Sequence, residues 1–187
     1  MSGFIDMEDY VIMLTEEETI ESVIDFGTGP KGVVAQHYWE SVQKIDIGYA
    51  CDIWKIKELP PVWKPLLMNA LDILDVLKPK SVDIVQAFGF IEHLTRKDGL
   101  KFLDIAETLA RKFIIVSAAN CIHGLDSGKL PGYDPDYKVK LDGNKYHRYN
   151  STWHWREFEE LGYTSNIEDA IKDRTFRLES IAWKKLI

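Results

Sequence analysis

Ser22-Val23-Ile24-Asp25-Phe26-Gly27-Thr28-Gly29-Pro30-Lys31-Gly32 is the stretch on which the reading of this chain turns. Val23, Ile24 and Phe26 form an apolar, strand-like run carrying one acid, Asp25. The run then breaks into a turn containing Gly27, Gly29 and Gly32, and a helix-like stretch, Val33 to Tyr38, comes next. Strand, glycine turn and helix start make a βα unit whose backbone a ligand can approach closely. Glycine is required there because a Cβ would block the approach or forbid a positive φ.

A second feature sharpens the expectation. The strand-like run Gln43-Lys44-Ile45-Asp46-Ile47 places Asp46 near its end, about 20 residues beyond the first glycine. A carboxylate at the tip of the second strand is what ribose hydroxyls need as a hydrogen-bond acceptor. With both features, the chain resembles the class I S-adenosylmethionine-dependent methyltransferases. Val23 to Pro30 is similar to that family's first motif, hydrophobic-x-D-x-G-x-G-P. The resemblance implies cofactor contacts at Asp25, Gly27, Thr28, Gly29 and Pro30, and at Asp46 and Ile47 on the second strand. Lys31 stands where the family usually has a third glycine. Either the loop is one residue longer or Lys31 lies beside the methionine carboxylate.

The chain has 187 residues, the size of one domain, with 45% hydrophobic and 28% charged residues as in globular proteins. A domain of this length buries about 70% of its unfolded-chain surface. A formal charge of −7 disfavours a protein that coats nucleic acid, though it leaves room for a local basic patch. Cys51 and Cys121 are too few for a disulfide framework or a zinc site, so reduced thiols in a cytoplasmic setting are expected. The acidic stretch Met1 to Ile20 does not read as a signal peptide, and no run approaches the 18 apolar residues of a membrane span. It is expected as a short helical extension on a single domain covering 1–187.

Cys51 to Leu59 reads as a short helix, and Pro60, Pro61 and Pro65 punctuate the segment after it. By the resemblance, the family's third motif falls on Leu66 to Leu74, with Asn69 at the position of the acid that faces the adenine amino group. Ala70 and Leu71 complete that contact. Asn can still accept through its amide oxygen, and Asp72 is the alternative acceptor.

Ser81 to Leu94 reads as a buried central strand running into a turn. It matches the family's fourth motif at Asp83, Val85, Ala87, Ile91, Glu92, His93 and Leu94, with Ala87 and Phe88 expected at the cofactor. Some relatives ligate a divalent ion through E-x-x-E-H; here Gly89 replaces the first ligand, and no metal is expected. Glu92 and His93 either orient the turn or, for His93, supply a general base.

Thr95 is a helix N-cap with Asp98 in the first turn, and Leu100, Leu103, Ala106, Leu109 and Ala110 form one apolar stripe. Phe113 to Val116 is an apolar strand. This alternation implies an α/β fold with a parallel sheet and helices on both faces. The resemblance makes it Rossmann-like and mostly parallel, with seven strands, and makes Phe176 to Trp183 the reversed final strand.

Residues 121–152 are too long for a simple connection and read as a substrate loop or lid. Basic residues interleaved with Tyr146, Tyr149 and Trp153 suit an anionic or flat acceptor, with His123, His147, Arg148 and Trp153 as its contacts. The other reading is a solvated loop whose aromatics pin it to the core.

The function so implied is methyl transfer from S-adenosylmethionine to an oxygen or nitrogen of a small-molecule or nucleotide-like acceptor. Two alternatives stand beside it: a non-catalytic adenosyl-ligand-binding scaffold, and a nicotinamide-dependent oxidoreductase.

Overall fold

The computed structural model describes residues 15–29, 45–57, 59–118, 145–166 and 180–186. The helix-like stretch after Gly32, Pro30, Lys31 and His123 lie outside the described residues. The strands are β1 (Ser22–Phe26), β2 (Ile47–Asp52), β3 (Trp63–Leu67), β4 (Val82–Ala87), β5 (Ala110–Ala118), β6 (Thr164–Asn166) and β7 (Ser180–Lys185). They form one seven-stranded sheet in the order β3-β2-β1-β4-β5-β7-β6. The first five run parallel, and β7 pairs antiparallel with both β5 and β6. A parallel sheet with a reversed late strand is the architecture expected from the sequence.

Side chains alternate between two buried layers, as a strand's two-residue period demands. Ile24 and Phe26 of β1 and Ile114, Val116 and Ala118 of β5 join one core cluster. Val23 of β1 and Phe113 and Ile115 of β5 join the other. The first cluster is covered by α1 (Arg96–Leu109), through Phe102, Leu103, Ile105, Ala106 and Leu109. Thr95 caps this helix by accepting the amide of Asp98. A shorter helix, α2 (Trp155–Glu160), is followed by Gly162 at φ +81°.

Charge fastens the amino ends of the central strands. Asp83, at the start of β4, accepts the amides of Glu21 and Ser22 at 2.9 and 3.2 Å, and Nε of Arg111 at 3.0 Å. Burial pushes this carboxyl's pKa up, but the Glu21 N–H and the Arg111 and Lys112 charges outweigh it and hold it below the usual range.

Two expectations are corrected. Residues 51–59 do not make a helix: Cys51 and Asp52 complete β2, and β3 starts at Trp63. The second strand is β2 and begins at Ile47, with Ile45 and Asp46 ahead of it; Gln43 and Lys44 of the expected strand lie outside the described residues. Its pattern is obscured by Gly48, which is there because a Cβ would lie 2.3 Å from Cδ2 of Trp63. Among the described residues β3 lies at the sheet edge, where Pro65 is tolerated because its outer side has no ladder partner there.

Candidate functional site

Parallel sheets take ligands at the carboxyl ends of their strands, where the strand order switches direction. Here that point is between β1 and β4, which lie side by side although β2 and β3 intervene in sequence. The glycine turn leaves β1 at this end. Gly27 and Gly29 both have φ +73°, a region costly for any residue with a Cβ. A Cβ on Gly27 would stand 2.6 Å from Cδ2 of Phe90, so the turn is seated directly on the segment leaving β4. A Cβ on Gly29 would meet nothing within 4 Å among the described residues. Among the described residues, that side of the turn is backbone without a covering side chain.

Asp25 lies beneath the turn, 4% exposed, and accepts Nε2 of Gln86 at 3.1 Å, while Thr28 Oγ1 donates to its carbonyl. Burial pushes the Asp25 carboxyl up to about 7, Gln86 and Thr28 pull it down, and the nearby Asp52 charge adds to the rise.

The acid at the tip of the second strand is Asp52, not Asp46. Asp46 precedes β2 and donates its amide to the carbonyl of Glu21, ahead of the first residue of β1. It lies at the amino end of the sheet, six residues and roughly 20 Å of extended chain from the tip of β2. Ile47, paired with Ser22, shares that end. Neither reaches the glycine turn. Asp52 does: its Oδ2 accepts the amide of Gly29 at 2.8 Å and its Oδ1 accepts the amide of Trp54 at 2.8 Å. The signal that could have found it is Gly48-Tyr49-Ala50-Cys51-Asp52, a mostly apolar run ending in an acid. Next to it, burial first and then the Asp52 and Asp25 charges push the Cys51 thiol up to about 12. Cys51 is therefore no thiolate nucleophile at neutral pH.

Asn69 follows β3 at the same end and caps a 3-10 helix (Ala70–Asp75), its Oδ1 accepting the amide of Leu71 at 3.0 Å. Ala70 is buried and Leu71 half-buried beside the core. At the end of β4, Ala87 is fully buried and Phe88 half-buried. Gly89 donates its amide to Ser117 Oγ of β5 at 3.0 Å. A 3-10 turn (Ile91–His93) comes next, with Glu92 buried beneath it.

Residues 145–153 form a strap bound to this turn. The amides of Asn150 and Ser151 donate to the carbonyl of Glu92 at 2.9 and 3.1 Å, and Asn150 Nδ2 donates to that of His93 at 2.8 Å. Nδ1 of His93 lies 3.0 Å from the carbonyl oxygen of Arg148, and its ring stacks on Tyr149. The strap's other end, Tyr146, meets Trp54 edge-on at 6.1 Å. Trp54 lies beyond β2 and His93 beyond β4, and β1 runs between those strands. The strap therefore reaches from the segment after β2 to the turn after β4.

His147 and Arg148 are on this strap, His147 with its ring 5.8 Å from that of His93. Trp153 is not a surface contact. It is 1% exposed, its Nε1 donates to Ser151 Oγ, and Arg96 lies over its ring at 3.9 Å. The same Arg96 forks onto both oxygens of Glu157 at 3.2 and 2.7 Å, tying α1 to α2. Trp153 is the pin that holds the strap down. Among the described residues no helix is long and apolar enough to cross a membrane.

No family model matches the sequence, and no curated protein does. Solved structures do match the fold. The chain is similar to a SAM-dependent methyltransferase from Archaeoglobus fulgidus, with a TM-score of 0.62, 14% identity, and 96% of this chain and 91% of that one covered. It is similar to the plantazolicin methyltransferase BamL in complex with a desmethyl analogue and SAH, at TM-score 0.64, 16% identity, and coverage of 96% and 82%. It also matches the small RNA methyltransferase HEN1 at TM-score 0.62 and 14% identity over 95% of this chain. The chain spans a quarter of the length of the HEN1 chain it matches. The fold of this chain is that of the SAM-dependent methyltransferases.

Proposed function

We propose that this protein binds S-adenosylmethionine at the carboxyl ends of β1 to β4 and transfers its methyl group to a small acceptor. The observation that carries the reading is the pairing of Asp52 with the Gly27–Gly29 turn: an acid on the second strand and a backbone cradle at the switch point, joined by one hydrogen bond. A diol-bearing adenosyl group fits both. Asp52 would accept from the ribose hydroxyls, in the role expected of Asp46. The Asn69–Leu71 segment would meet the adenine edge, and Ala87 and Phe88 would form the floor. Asp25 supports the turn from below, with Thr28. Pro30, outside the described residues, is kept as a cofactor contact on the resemblance alone. His123, His147 and Arg148 remain the candidates for holding the acceptor.

The bound group supplies an electrophilic methyl, so the protein's work is alignment and exclusion of water rather than activation of the donor. The strap, joined to the ends of both β2 and β4, would serve both. Nicotinamide binding would use the same turn and acid, so ligand identity has to be read directly. Titration calorimetry with S-adenosylmethionine, S-adenosylhomocysteine and NAD tests the reading. Binding of the first two without NAD supports it; NAD alone, or no ligand, overturns it.

A further inference from the structure

We infer that Asp25 is a charge-sensing residue that tells the cationic donor from its neutral product: it gives up its proton to solvent when S-adenosylmethionine binds and takes one back once the methyl group has left. This rests on the methyltransferase reading above. The geometry is a turn held between two carboxyls from neighbouring parallel strands. Gly29 donates its amide to Asp52 of β2 at 2.8 Å. Thr28, the residue before it, donates its hydroxyl to the Asp25 carbonyl at 3.1 Å and lies close enough to the Asp25 carboxyl to favour its charged form. Consecutive residues of the turn are thus bound to the two acids, so a ligand seated on the turn's backbone meets the field of both.

The two acids are not equivalent. Asp52 is half-buried, and its carboxylate accepts two amides. Asp25 is buried and accepts Gln86 Nε2 at 3.1 Å, across the ladder in which the two residues are paired. The titratable groups that interact with it are both on β2, Asp52 and the Cys51 thiol, while Gln86 on β4 and Thr28 on the turn are neutral. Among the described residues no lysine, arginine or histidine forms an ion pair with it. A buried carboxyl with an acid beside it and no cation of its own holds its proton, and burial pushes this one up to about 7. A positive charge on the turn supplies the missing cation and favours the ionised form. The donor's sulfonium carries that charge, and the product's thioether does not. Asp25 therefore meets the donor as a carboxylate and the product as an acid. Its charge and that of the ligand sulfur cancel in the first state and are both absent in the second, which spares the site an uncompensated buried charge. The proton passes to and from solvent, apart from the one the acceptor sheds.

The test is the number of protons exchanged on binding, measured by titration calorimetry at pH 6.5 in buffers of low and high ionisation enthalpy. S-adenosylmethionine and S-adenosylhomocysteine are the probes. The expected result is that the first releases roughly half a proton more than the second, as a fall of the carboxyl from about 7 to about 6 would give at that pH. In Asp25→Asn the difference between the ligands should vanish. Gln86→Met leaves Asp25 in place and removes its amide donor, so the pH of largest release should move upward. Equal release for the two ligands in the wild type overturns the proposal. So does a difference that persists in Asp25→Asn, or a pH profile unmoved in Gln86→Met. Failure of both ligands to bind the wild type sinks the methyltransferase reading, and this proposal with it; binding without the proton difference sinks the role of Asp25 alone.

Discussion

The amide nitrogen of Gly29 stands 2.8 Å from Oδ2 of Asp52 and donates to it. One bond thus joins the turn after β1 to the tip of β2, and the amide of Trp54 secures the other carboxylate oxygen. Two backbone donors fix the carboxylate's direction, and each oxygen has a second lone pair for a ligand hydroxyl. The rest of the site is arranged around this bond, with Asn69 on one side and the turn bearing His93 on the other.

Gly99 on α1 makes a sharp test of the strap. Glycine inside a helix ordinarily costs about 1 kcal/mol relative to alanine, so propensity favours Gly99→Ala. A Cβ there would stand 2.3 Å from Cζ2 of Trp153, a ring with nowhere to go. Overpacking should win, and the variant should lose about 1–3 kcal/mol in urea unfolding. A gain in stability would show that Trp153 does not pin the strap.

Asp25 should make stability depend on pH. Its folded-state pKa is raised to about 7, above its ordinary value, chiefly by burial. The native state therefore holds the proton longer than the unfolded chain, and stability falls as pH rises between about 4 and 7. The loss should be on the order of a few kcal/mol. Asp25→Asn keeps the Gln86 hydrogen bond and removes the titration. Urea unfolding from pH 4.5 to 8 should show the decline in the wild type and a flatter profile in the variant.

Asp83→Ala should destabilise by about 2–4 kcal/mol, because the amides of Glu21 and Ser22 lose their acceptor and Arg111 its partner. The sign with pH is opposite to that of Asp25. Its lowered pKa makes the contribution present above the ordinary carboxylate range and lost as pH falls through the folded value. Acid unfolding midpoints of the two proteins check this; equal midpoints would contradict it.

What was legible in the sequence was the centre of the sheet. β1, β4 and β5 are buried on both faces, so their apolar runs stand out, and Thr95 and Gly27 mark the boundaries beside them. β2 hid because Gly48, a residue disfavoured in strands, stands near its start, and the reason for Gly48 is Trp63, a residue on the next strand. Placing that strand too early moved the acid from Asp52 to Asp46. Trp153 misled for a related reason. It lies in a polar stretch that reads as a loop, and its burial depends on the space that Gly99 leaves on a distant helix. Local pattern carries periodicity, but not which side chain fills which gap.

The most direct measurement is titration calorimetry of S-adenosylmethionine into the wild type, Asp52→Ala and Asp46→Ala side by side. Removing a ribose acceptor should cost about 1–3 kcal/mol, roughly 5- to 150-fold in affinity. The expected result is that loss in Asp52→Ala and wild-type affinity in Asp46→Ala. Unchanged binding in Asp52→Ala, or a loss confined to Asp46→Ala, would contradict the site described for this protein.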